Sequence, residues 1–130
     1  MSHQFPKHYT RDEAQALLPQ IREWLTQLRA AQSAMEKGER KLRPIIADGQ
    51  DTGGATVNGY FQTVADLRDV LAEFARRAIM LQDLHRGLID FPALMGGREV
   101  FLCWEDGEEA VEFWHDLDAG YAGRERIRTG

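Results

Sequence analysis

The apolar residues of this chain change their spacing near residue 86: before it they recur every three or four positions, after it at every second one. A spacing of three and four lines one side of a helix, and a spacing of two lines one face of a strand. The chain must therefore unite helices from its first two-thirds with a sheet from its last third, an α+β arrangement.

The first helix has a marked start. Thr10 followed by Glu13 forms a capping box, in which hydroxyl and carboxylate satisfy backbone amides that the first turn leaves without partners. Leu17, Ile21, Trp24, Leu28, Ala31 and Met35 then step by four and three, with Leu18 and Leu25 widening the stripe. Pro19 lacks the amide owed to residue 15, which predicts a kink or a helix regular only beyond it. Gly38 weakens the far end, and Pro44 should stop it.

Residues 48–59 hold four glycines among polar residues and have no apolar period, so they read as a mobile connection exposed to proteases. A phosphate loop needs a Lys-Ser/Thr pair behind its glycines and a buried strand before them, and both are missing. Phe61, Val64, Leu67, Leu71, Phe74, Ala78, Leu81 and His85 resume the helical step, which predicts a second helix from about Tyr60 to His85. Two amphipathic helices joined this way fold back as an antiparallel hairpin over about 11–85.

Two turn signals divide the remainder. Met95-Gly96-Gly97-Arg98 and Glu105-Asp106-Gly107-Glu108 place residues tolerant of positive φ where two-residue hairpin loops need them. Strands follow at about 88–94, 99–104 and 109–115. With both loops two residues long, Phe91 faces Leu102, which faces Val111. Ile89, Phe91, Ala93, Val100, Leu102, Trp104, Val111, Phe113 and His115 then share the face toward the helices. Asp90, Pro92, Glu99, Phe101, Cys103, Ala110, Glu112 and Trp114 share the other. That second face is too apolar for water, so the C-terminal tail or a second subunit should cover it. The expected fold is one domain over residues 1–130: a long antiparallel helical hairpin packed on a three-stranded antiparallel β-meander, with the meander and a Gly-Arg tail at about 87–127.

The chain has 130 residues, enough to build a core without disulfides or metal. Its single cysteine, Cys103, forbids an internal disulfide. No stretch has the length and apolar character of a signal peptide or a membrane span, which places the protein in the cytoplasm with no membrane partner. The net charge of −5 has the wrong sign for neutralising phosphates, and residues 87–130 carry ten acidic groups against four basic ones. Lys37, Arg40, Lys41 and Arg43 are the one basic cluster. Such a cluster solvates a helix end, so nucleic acid is not an expected partner.

Several segments together carry a resemblance. They are the stretch from Phe5 to Pro19, Asp90-Phe91-Pro92, Gly97-Arg98-Glu99 running into Leu102-Cys103-Trp104, Trp114-His115, and Gly120-Tyr121-Ala122-Gly123-Arg124. From Tyr9 to about Ile127 the chain resembles a prokaryotic family of uncharacterised proteins, domain of unknown function 2203. The resemblance implies no activity, no cofactor and no catalytic residues.

Chemistry must therefore be read from the residues. Glu112-Phe113-Trp114-His115 has the Glu-x-x-His form of carboxylate di-iron proteins, but in one copy and on a strand, where the two ligands diverge. His115, Asp116 and Asp118 before Gly120 resemble the start of a calcium loop without its closing glutamate. These three are the metal-ligand candidates. Asp90 lies opposite Cys103, and a carboxylate beside a thiol raises the thiol pKa, so Cys103 reads as a packing residue and a poor nucleophile. Asp90 is expected to pair with Arg124 and pin the tail. His115 is expected across from Arg98, and His85 as a cap on the second helix. His3 and His8 lie in an N-terminal arm.

Two readings of function follow. One is a non-enzymatic protein acting by association, as a homodimer or with a partner protein. The other is a small-ligand- or metal-binding protein, or an enzyme, with a site drawn from Asp90, Cys103, Glu112, Trp114, His115 and Arg124.

Overall fold

A computed structural model describes residues 3–47 and 54–128. Two helices, Arg11–Ala47 (α1) and Ala55–Arg76 (α2), precede five strands: Met80–Asp83 (β1), Leu88–Met95 (β2), Arg98–Glu105 (β3), Phe113–Asp116 (β4) and Glu125–Arg126 (β5). The strands form one antiparallel sheet in chain order. The fold is α+β, with five strands where three were expected. Among the described residues, no helix is long and apolar enough to cross a membrane. The chain divides into two compact units, one built from the chain up to Glu23 together with Phe74 onward, the other from Trp24–Glu73.

The first unit starts at the capping box, found as the sequence requires: Thr10 N–H donates to Glu13 Oε1 (2.9 Å) and Glu13 N–H to Thr10 Oγ1 (3.1 Å). Ala14, Leu18 and Ile21 are buried behind it. The helix is continuous across Pro19, whose ring is exposed. Polar side chains of this segment hold residues 108–111 through their backbone. Arg11 Nε donates to the Val111 carbonyl (2.7 Å), Val111 N–H to Gln15 Oε1 (2.8 Å) and Arg22 Nη2 to the Glu108 carbonyl (3.4 Å).

The second helix ends earlier than its spacing predicts. Ala78 takes a left-handed φ of 58°, with Ile79 N–H donating to the Phe74 carbonyl and Ala78 N–H to that of Ala75. This Schellman pattern closes the helix and turns the chain into β1. Residues 80–83, expected to be helical, pair with β2 instead, and His85 sits in the turn between the two strands rather than at a helix end.

β2 and β3 meet in the expected register, Asp90 with Cys103, Phe91 with Leu102 and Ala93 with Val100, around a two-residue turn in which Gly96 and Gly97 have φ of 61° and 81°. The next connection differs. A tight turn does form, Glu108 N–H donating to the Glu105 carbonyl, but residues 109–112 do not join the ladder and β4 begins at Phe113. Leu102 consequently faces Trp114, not Val111, and Val100 faces Asp116, not Phe113. The offset is three residues, an odd number, so every β4 side chain lies on the opposite face from that expected. Trp114 joins Phe91 and Leu102; Phe113 and His115 join Asp90, Phe101 and Cys103.

That second face is covered within the chain. The tail covers one part, with Arg124 stacked 3.9 Å from the Phe113 ring centroid and β5 paired to β4. The N-terminal arm, which periodicity left unassigned, covers another: Phe5 packs on Phe101 at 5.4 Å, and Tyr9 N–H donates to the Pro92 carbonyl.

The second unit is an antiparallel pair formed by α1 beyond Trp24 and by α2. The Tyr60 ring lies against Gly38, where a Cβ would stand 2.8 Å from its Cδ2, and the Tyr60 hydroxyl donates to Glu39 (3.2 Å). α1 passes through Pro44, expected to stop it, and runs to Ala47; residue 40, whose carbonyl loses its donor, is exposed to water. α2 begins at Ala55, so residues 55–59, expected in the connection, are helical, while 48–53 lie outside the described residues. From Ala55 to Glu73 no α2 residue is fully buried. Phe61 is 64% exposed and Leu71 40%.

Candidate functional site

The odd offset between β3 and β4 gathers three polar side chains inside the sheet unit. Asp90 and Cys103 are paired across β2 and β3, and His115, opposite Phe101 on β4, reaches the same spot. Asp90 is 3% exposed, Cys103 0% and His115 2%, and one ligating atom from each lies within 4.8 Å of the other two. The sequence reading separated them, because it placed His115 on the other face and across from Arg98.

Every partner of the histidine is an acceptor. His115 Nδ1 lies 2.8 Å from the Asp116 carbonyl, which can only accept, so Nδ1 carries a hydrogen. Nε2 lies 3.0 Å from Asp90 Oδ1. A neutral ring protonated at Nδ1 has no hydrogen on Nε2, and an ionised carboxylate has none either, so this contact holds one additional proton or another cation. Gln82 Nε2 donates to the other Asp90 oxygen, Oδ2, at 3.1 Å. Burial first, and the Asp90 carboxylate second, push the Cys103 thiol up to about 12, against a smaller opposing pull from Arg124. A thiol raised in this way is a poor nucleophile at neutral pH.

Arg124 touches this group without binding its carboxylate. Its positive charge pulls the Cys103 thiol pKa down against the larger effects of burial and Asp90, and that charge is answered by Glu108, Nη2 to Oε2 at 2.7 Å and Nη1 to Oε1 at 3.2 Å. The Tyr121 hydroxyl and ring also hold it. The expected Arg124–Asp90 pair is replaced, because the turn at 105–108 brings Glu108 to the tail while His115 and Gln82 take both Asp90 oxygens.

The other candidates are dispersed. Glu112 pairs with Arg126 at the surface (2.9 Å), and Trp114 lies on the opposite sheet face beneath Arg98. The Asp116 carboxylate meets Arg98 (3.2 Å), so Asp116 serves His115 only through its carbonyl, and Asp118 is exposed. Sequence reasoning missed Gln82, because helical spacing masked the alternation of Ile79 and Leu81 with Met80 and Gln82. It missed Glu108 and Tyr121, for which no local signal exists.

A second cluster joins the N-terminal arm to β3. Glu99 accepts from Gln4 N–H (2.7 Å), Phe5 N–H (3.0 Å) and His8 Nε2 (2.8 Å), with His3 Nδ1 at 4.0 Å. Burial pushes the carboxyl pKa up, but these donors together outweigh it and hold Glu99 at about 2.

No curated protein and no solved structure matches the chain. A family model described as an uncharacterized conserved protein, DUF2203, matches residues 7–127, a span containing Asp90, Cys103, His115 and Arg124, and the chain belongs to that family.

Proposed function

We propose that this protein acts by self-association through its helical pair, as a non-enzymatic homodimer of the cytoplasm. The observation that carries the reading is the groove along the hairpin. At its middle and base it is lined by Gln27, Ala30, Ala31 and Ala34 facing Thr63, Asp66, Asp69 and Val70, with a volume of about 530 Å³. Toward the tip it continues between Lys37, Gly38 and Lys41 and the start of α2. Small side chains form the floor, cations stand at one end and carboxylates at the other. A second copy turned by a two-fold axis through the Ala34–Thr63 level sets Lys37 and Lys41 against Asp66 and Asp69 of its mate, twice. Such a self-complementary pattern favours a copy of the same chain over an unrelated partner, and nucleic acid would be repelled by the carboxylate end. The absence of any fully buried residue in α2 before Phe74, with Phe61 and Leu71 exposed, is consistent with a helix completed by association. A single free and buried cysteine suits a reducing compartment.

Charge reversal tests it. Sedimentation at micromolar concentration should show a dimer for the unaltered protein. Lys37→Glu with Lys41→Glu, or Asp66→Lys with Asp69→Lys, should give monomers, and all four together should restore the dimer. A monomeric unaltered protein, or a quadruple variant that fails to re-dimerise, sinks the reading.

A further inference from the structure

We propose that Asp90, Cys103 and His115 form a binding site for a divalent transition metal of the zinc class, with Oδ1, Sγ and Nε2 as donors. A carboxylate oxygen, a sulfur and an imidazole nitrogen are the set such a borderline-soft ion takes, and these three converge within 4.8 Å in the interior.

Two features suit this group to a metal. The first is its geometry: Nε2 and Asp90 Oδ1 face one another at 3.0 Å across a single shared proton, which a metal ion would replace. The outer partners are those of a prepared ligand set: the Asp116 carbonyl holds Nδ1–H and so leaves Nε2 as the free lone pair, and Gln82 holds the carboxylate by its second oxygen. The second is charge. A thiolate and a carboxylate neutralise a dication, so the loaded centre is neutral where an isolated charge would be costly. The Arg124 charge favours the sulfur as a thiolate, and its pairing with Glu108 (2.7 Å) leaves that sum unchanged.

Tetrahedral coordination separates such donors by about 3.3–3.6 Å. Nε2 and Oδ1 therefore move apart by a few tenths of an ångström as sulfur and metal draw together. On loading, two protons leave, one from the thiol and one from between Nε2 and Oδ1; nothing is oxidised or reduced. The rival group, His3, His8 and Glu99, has no sulfur, and both Glu99 oxygens already accept backbone amides.

Cobalt(II) chloride is the probe, added to the full-length protein during refolding so that burial does not block access. Cys103 is the chain's only cysteine, so a sulfur-to-cobalt charge-transfer band reports this site without any variant. The expected result is one cobalt per chain, that band together with tetrahedral visible absorption, and loss of both on adding one equivalent of zinc. Cys103→Ser should abolish the band, Asp90→Asn should weaken binding about tenfold or more, and His8→Ala should change neither. Failure to bind, or cobalt bound without a sulfur band in the unaltered protein, overturns the proposal whether or not the variants fold. So does binding that His8→Ala removes.

Discussion

His8 Nε2 and Glu99 Oε2 lie 2.8 Å apart, and through this pair an arm at the start of the chain is fastened to a strand 91 residues away. The same carboxylate takes the amides of Gln4 and Phe5, so one ionised group fixes the path of the arm over Phe101.

The arm should therefore come loose in acid. Glu99 is held at about 2, below its ordinary 4.5, so its contribution to stability is complete above about 4.5 and is lost as the pH falls toward 2. Amide exchange at Gln4 and Phe5 should accelerate across that window. Glu99→Gln should show fast exchange already at pH 6, and slow exchange in that variant would show that the carboxylate is not the fastener.

Ala78 adopts a conformation that costs an L-residue about 1–2 kcal/mol relative to glycine. Ala78→Gly should raise unfolding free energy by about 1 kcal/mol, once the backbone entropy of glycine is deducted. Denaturant titration checks this. A loss of stability would mean that the alanine methyl packs usefully.

Gly38 lies inside α1, where alanine would ordinarily add about 1 kcal/mol. With the Tyr60 ring 2.8 Å from the new Cβ, Gly38→Ala should instead destabilise the hairpin. In a Tyr60→Ala background the same change should recover the gain. Equal effects in both backgrounds would show that the ring yields freely.

Arg124 and Glu108 form a bidentate, largely shielded pair. A double-mutant cycle between them should give coupling of about 1 kcal/mol, larger than the cycle between Arg124 and Asp90. The reverse order would mean that the tail is pinned by Asp90 after all.

How far the sequence could be read depended on the range of the interaction. The capping box at Thr10, the Gly96-Gly97 turn and the Asp90–Cys103 pairing were legible because each is decided by adjacent residues. β1 was not, because Ala78, Leu81 and His85 continue a helical step that only a left-handed alanine interrupts. The histidine of the candidate site was assigned to the wrong face for one reason: the turn at Asp106-Gly107 exists, but Arg11 and Gln15, about a hundred residues earlier, hold residues 109–111 out of the ladder. The cover supplied by Phe5 was invisible because it depends on Glu99, not on any period within the arm.

Because side chains alternate, the register of β4 behind the segment 106–112 decides which residue completes the trio. A slip of one residue against β3 would send His115 outward and Trp114 into its place; a slip of two would return His115 to the inner face, but opposite Glu99 and two strand positions away from Asp90 and Cys103. The loop is thus a ruler as well as a tether, and thermal melts of one- and two-glycine insertions after Gly107 would read it directly: both lose stability where the added length is passed on to β4, and neither does where residues 109–112 absorb it.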